Sequence, residues 1–204
     1  MKKYFFYLLS VSVLMSCTIA LPEFQTAESL AQGKHAVAVG GYSGRGFNAS
    51  TGGLLVHNYG VKEKLDLTTN FSLSRLNIEA PNIRSSVLSG PKWSNAAGNW
   101  AVSAPVGAIY THTFNDIDAG FTYLLTPTIY KSWKPRGASS TSTFFTRSEF
   151  AYNPLRGRWF AMVGGYSQRL ESRRLIHYLS LSGSTNGPVY GVYFGYGLSL
   201  KRTR

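Results

Sequence analysis

The stretch VYGVYFGYGLSLK, residues 189–201, decides the fold. Successive side chains of a strand point to opposite faces. Read that way, Val192, Phe194, Tyr196, Leu198 and Leu200 form one face. Gly191, Tyr193, Gly195, Gly197 and Ser199 form the other. One face is apolar and the other is small or polar, with no helical period.

The same alternation recurs upstream. In 65–75, Leu65, Leu67, Thr69, Phe71 and Leu73 oppose Asp66, Thr68, Asn70, Ser72 and Ser74. In 100–114, Trp100, Val102, Ala104, Val106, Ala108 and Tyr110 oppose Ala101, Ser103, Pro105, Gly107, Ile109 and Thr111. In 121–133, Phe121, Tyr123, Leu125, Pro127, Ile129, Lys131 and Trp133 oppose Thr122, Leu124, Thr126, Thr128, Tyr130 and Ser132. Fainter segments lie at 35–43, 53–61, 83–93, 143–152, 158–168 and 175–183. The fold class is all-β, an antiparallel up-and-down β-barrel of about ten strands (8–12). Residues 35–204 form its single domain. Pro105 and Pro127 fall in mid-strand, where each removes a ladder donor and predicts a bulge.

Strand length and composition choose the surroundings. Ordinary strands average about 5–6 residues, and strands that cross a bilayer need about 9–11. These segments match the longer class. Only 15% of residues are charged. A solvated outer surface carries more Lys and Glu than this Gly-, Ser- and Thr-rich face does. Aromatic residues near strand ends (Trp93, Trp100, Phe114, Phe121, Trp133, Trp159) fit two interfacial girdles. The chain is basic, with 21 Lys and Arg against 9 Asp and Glu, net +12. These cations are scattered through connections, as in KPRG at 134–137 and ESRR at 171–174. They form no stripe of the kind that tracks nucleic acid, and nucleic acid is not expected as a partner.

Residues 2–15 pair two lysines with an apolar run, the layout of a secretory signal. The run ends in Leu14-Met15-Ser16-Cys17, which holds the sole cysteine of the chain. That tetrapeptide resembles the lipobox of bacterial lipoproteins. The resemblance implies a signal peptide at 1–16, lipidation of Cys17 by the lipoprotein-processing machinery, and a tether over 17–34. Thr18 in place of Asp leans towards the outer membrane. Within the tether, Thr26 to Gln32 has room for one or two helical turns ended by Gly33, and reads equally as a flexible leader.

YGVKEKLDL, residues 59–67, is similar to the hairpins of small bacterial outer-membrane β-barrels. With the long alternating strands, this resemblance spans 35–200. It implies outer-membrane lipids and the barrel-insertion machinery as partners. The sequence departs from that family in ending LSLKRTR, with its last aromatic at Tyr196.

The chemistry-bearing residues are sparse. His35, His57, His112 and His177 have no His or Cys at ligand spacing, so no metal or other cofactor is expected. GGYSGRG at 40–46 lacks the ending of a phosphate loop and reads as a strand end and turn. His177 lies near Ser180 and Ser182 but on the opposite strand face, and no catalytic triad is assigned. Arg75, Arg84, Lys131, Arg147 and Glu149 are the candidates for lining the lumen, with Lys92 beside them. A barrel of about ten strands is nearly filled by its own side chains, and wide pores need about 16.

The expected function is that of a lipid-anchored outer-membrane barrel, non-enzymatic, with a structural, narrow-channel or binding role. A tethered lipocalin-like or sandwich domain is the first alternative, and an outer-membrane lipid-modifying hydrolase the second. A structural barrel predicts a filled, charge-paired lumen; a binding module predicts a cavity lined by apolar residues.

Overall fold

The computed structural model describes residues 23–46, 50–76, 82–113, 120–155, 157–186 and 189–200. Its strands are β1 (His35–Gly46), β2 (Ser50–Lys62), β3 (Leu65–Leu76), β4 (Asn82–Ser94), β5 (Trp100–Ser103) and β6 (Val106–Thr113). They continue as β7 (Gly120–Leu125), β8 (Thr128–Trp133), β9 (Ser140–Asn153), β10 (Gly157–Glu171), β11 (Leu175–Asn186) and β12 (Val189–Leu200). β12 pairs antiparallel with β1, and β9 with β10, which closes the sheet. Collinear β5–β6 and collinear β7–β8 each count as one wall element, giving a ten-stranded barrel, with no helix among the described residues.

Proline is what divides those two composite strands. The expected bulges are absent. β4 holds one register along both halves of its partner, from Ser89↔Val106 to Lys92↔Ser103. The pairings of β6 with β7 and of β5 with β8 likewise keep step across Pro105 and Pro127. Each proline still accepts a bond: Thr126 N donates to Pro105 O (2.8 Å) and Ser148 N to Pro127 O (2.9 Å). Pro105 cannot return a donor to Thr126 O, and the Thr128 hydroxyl supplies one at 3.1 Å. Losing a donor therefore costs no slip in register.

Register also fixes which face is which. Along β12, Gly191, Tyr193, Gly195, Gly197 and Ser199 are buried inside, and Val192, Phe194, Tyr196 and Leu200 are exposed outside. The pattern holds around the wall, with Phe71, Val87, Tyr123, Phe144 and Leu181 all outward and exposed. Trp93, Trp100 and Trp133 stand outward on one rim; Tyr110, Phe121 and Phe150 stand outward towards the other. Trp100 and Tyr110 lie about 33 Å apart along their composite strand at about 3.3 Å per residue. At a tilt of about 40° that is about 25 Å along the axis, the height of a barrel's apolar band.

The rim that carries Trp93, Trp100 and Trp133 has the short connections between β2 and β3, β4 and β5, β8 and β9, and β10 and β11. It is called the tryptophan rim below; the opposite end is the far rim.

Candidate functional site: the occupied lumen

Residues 23–31 lie inside the barrel. Glu23, Phe24, Gln25, Thr26 and Ala27 are buried there. Of the two readings of Thr26 to Gln32, the helical turns do not form. The reason is the partners: this backbone bonds to the barrel wall and not to itself. Glu23 N donates to Ser180 Oγ (3.1 Å) on β11, and Ala27 N to Ser132 Oγ (2.8 Å) on β8. Leu30 N donates to Asp66 Oδ1 (3.0 Å) on β3. A turn follows at Gln32–Gly33, with Gly33 in the left-handed region at φ 71°. Gly33 N donates to Gly60 O (2.8 Å), and Gly60 N to Lys34 O (2.9 Å). Those bonds meet β2 where its ladder shifts register, between Gly60 and Lys62. From the tryptophan rim the segment thus runs inward to the middle of the lumen.

The wall is shaped to this segment. A Cβ on Gly40 would stand 2.6 Å from the Phe24 ring, and one on Gly197 2.8 Å from it. Both contacts are closer than carbon atoms tolerate, so Phe24 fits only because β1 and β12 carry glycine there. Tyr178 closes over the same ring at 5.9 Å between centroids.

Charge is matched in the same places. Asp66 and Lys92 are cross-strand partners on β3 and β4. They are fully buried and 3.0 Å apart. An ammonium has three donors, and Lys92 directs the other two at the segment's backbone, Thr26 O (3.3 Å) and Glu28 O (2.9 Å). Arg169 bridges Glu28 (2.9 Å) and Glu171 (3.0 Å). Arg147 lies between Glu149 (3.1 Å) and Glu23 (3.8 Å). Burial pushes the Glu23 carboxyl above its ordinary range, while Arg147, Tyr130 and Lys92 pull it down. Such buried charges persist only when paired, and each pair here involves the segment or lies against it.

Beyond the middle the lumen changes character. Tyr42, Tyr193 and Arg84 are buried among Ser72, Ser74, Ser86, Ser182 and Ser184. Ser72 Oγ and Ser86 Oγ are 2.6 Å apart.

Of the expected lumen residues, Arg84, Arg147 and Glu149 face inward and are buried. Arg75 and Lys131 do not. Arg75 shares the outward face of Phe71 and Leu73 and is exposed. Lys131 shares that of Ile129 and Trp133, and its ammonium sits 4.5 Å from the centroid of the outward Trp100 ring. Both corrections follow from strand parity. Cys17 lies outside the described residues. GGYSGRG continues β1 to Gly46 and forms no turn before it.

Sequence spacing missed two groupings. The first is the segment itself with Lys92 and Arg169. The second is His35 with His57, whose ring nitrogens are 3.1 Å apart across β1 and β2. Residues 22 apart in sequence meet there through register alone. His177 turns outward to the Tyr196 hydroxyl (2.8 Å). Ser180 points inward to Glu23, so the two do not converge. Among the described residues no three His, Cys, Asp or Glu side chains gather as a metal-binding group.

No protein-family model and no curated protein matches this sequence. Solved structures resemble it at low identity. One is a bacterial polysaccharide outer membrane secretin, with 12% identity and a TM-score of 0.44 over 76% of this chain and 57% of that one. The chain therefore spans a little over half the secretin's length. A second is Ail, the attachment invasion locus protein of Yersinia pestis, with 11% identity and a TM-score of 0.39 over 83% and 98% of the two chains. A third is the N-terminal β-barrel domain of Pseudomonas aeruginosa OprF, with 10% identity and a TM-score of 0.34 over 84% and 98%. The barrel assignment rests on the strand register itself.

Proposed function

We propose that this chain is a lipid-anchored β-barrel of the bacterial outer membrane that works as a closed, non-enzymatic envelope component. One observation carries the reading: the wall is inverted relative to a water-soluble barrel. Phe194, Val192 and Leu181 are more than half exposed outside, while Asp66, Lys92, Arg147 and Glu149 are buried inside. Lipid outside would cover the apolar face, and a closed sheet leaves no strand edge unpaired in hydrocarbon. The tethered soluble domain needs the opposite arrangement. No helix among the described residues is long and apolar enough to cross a membrane; on this reading the strands cross it.

The occupied lumen favours a closed barrel over a channel. Residues 23–31 plug the half nearer the tryptophan rim with buried, paired charge. Reconstituted in a planar bilayer, the full chain should insert and give no steady conductance. A variant lacking residues 23–31 should give conductance steps or fail to fold, and retained heat-resistant barrel mobility on a gel separates those outcomes. Open-channel steps from the full chain would overturn the closed reading. The anchor has its own test: Cys17→Ser should abolish lipid labelling and leave the precursor uncleaved by the lipoprotein peptidase.

A further inference from the structure

Lys131 is a cation on the outer side of the wall, among aromatic rings. Its cross-strand neighbours are Trp100 on β5 and Phe144 on β9. Trp133 and Tyr166 pack against Phe144, at 5.0 and 5.3 Å between ring centroids. The ammonium lies 4.5 Å from the centroid of the Trp100 ring, and among the described residues no carboxylate pairs with it. The inward cations differ: Lys92, Arg147 and Arg169 each face a carboxylate. A ring face occupies one side of an ammonium and leaves N–H donors unused. A charge beside hydrocarbon is costly without a partner. The four-carbon stem of lysine can lift the ammonium to headgroup level, the level at which outward tryptophans sit.

The surroundings select the partner. Lys134 and Arg136 are exposed in the β8–β9 connection, and Arg173 and Arg174 in the β10–β11 connection. The nearby Glu171 is already engaged by Arg169 (3.0 Å) and Lys134 (3.7 Å). Towards the far rim the exposed cations among the described residues are Arg75 and Arg158. The tryptophan rim near Lys131 therefore carries a positive field, which attracts anionic lipid. A zwitterionic headgroup would bring its own ammonium into that field. One unpaired ammonium matches one phosphodiester; a lipid with several phosphates would need several such cations on the wall.

We infer that Lys131 seats the phosphate of one bound anionic phospholipid, held against Trp100 and Trp133 at the tryptophan rim. The inference rests on the membrane reading above. It goes beyond that reading, because boundary lipid in general is neither selected by headgroup nor retained.

The test uses the full chain, reconstituted in vesicles of equal parts phosphatidylglycerol and phosphatidylethanolamine and then released into mild detergent. Native mass spectrometry reads the lipid retained on each barrel. Phosphatidylglycerol should be retained in excess of phosphatidylethanolamine. Lys131→Gln should lower that retention about fivefold, since one basic residue near an anionic surface is worth about 1 kcal/mol. Lys131→Arg keeps the charge and should keep the lipid. Arg75→Gln, at an outward cation of the far rim, should change nothing. Heat-resistant gel mobility shows that each variant retains its barrel. Equal retention of the two lipids by the unaltered chain, or equal losses from Lys131→Gln and Arg75→Gln, would overturn the site and leave the membrane reading standing. Displacement of phosphatidylglycerol by added lipid A would overturn the choice of a phospholipid. A chain that fails to float with the vesicles would overturn the membrane reading as well.

Discussion

The two halves of the lumen solve one problem differently. Each must fill a polar interior. Towards the tryptophan rim the filling is a separate piece of chain, and the wall meets it with full charges: Lys92 and Asp66, Arg169 and Glu171. Towards the far rim the described filling is the wall's own Tyr42, Tyr193 and Arg84, among serines. The contrast shows what a plug adds. A backbone crossing the lumen brings unsatisfied N–H and C=O groups, and those demand partners of high strength. Lys92 and Asp66 answer that demand through main-chain atoms, at Thr26 O, Glu28 O and Leu30 N. The wall's own side chains in the far half are met largely by hydroxyls, as at Ser72 and Ser86.

The sharpest way to break this comparison is Lys92→Met. It strands the buried Asp66 and releases two plug carbonyls, so folding stability in detergent or bilayer should fall by about 3–5 kcal/mol. The double variant Lys92→Met with Asp66→Leu removes both charges and should recover part of the loss. A double variant worse than the single would show that the pair acts through something other than mutual neutralisation. Next in size is Phe194→Arg on the outer face. Since that face runs past both halves alike, its cost should follow depth alone, about 2–4 kcal/mol near mid-height. In the hydroxyl half, Ser86→Ala removes one partner of a serine pair. The expected loss is about 0.5–1.5 kcal/mol. A Ser86→Ala loss equal to that of Lys92→Met would erase the distinction between the halves.

Much of the wall was legible in the sequence because alternation is a local property. The ten wall elements fall where the ten alternating segments predict, and the inward and outward sets of 121–133 and 192–200 match residue for residue. Parity also held the answer for Arg75 and Lys131. Each lies in step with an apolar outward face, where a long cation near a rim can reach past the apolar band. The plug was not legible. EFQTAESLA, residues 23–31, shows no strand alternation, and its partners Ser180, Ser132 and Asp66 belong to three distant strands. A trace of it was present in the charges. Glu23 and Glu28 sit in the leader, and Lys92, Arg147 and Arg169 sit at inward positions of the wall. The proline-bearing strands were misjudged for another reason. Register is a property of neighbouring strands together, and one missing donor, replaced by the Thr128 hydroxyl, does not outweigh the pairs on either side.

The central claim is that the apolar face meets lipid while residues 23–31 fill the lumen. Spin-label collision accessibility in lipid vesicles tests both parts, with single cysteines at Phe194 and Phe24 in a Cys17→Ser background. The account predicts that the label at 194 collides freely with oxygen and poorly with a water-soluble nickel complex, and that the label at 24 is shielded from both. Ready collision of the nickel complex with both labels would contradict it, because the outer face would then be in water and the lumen open.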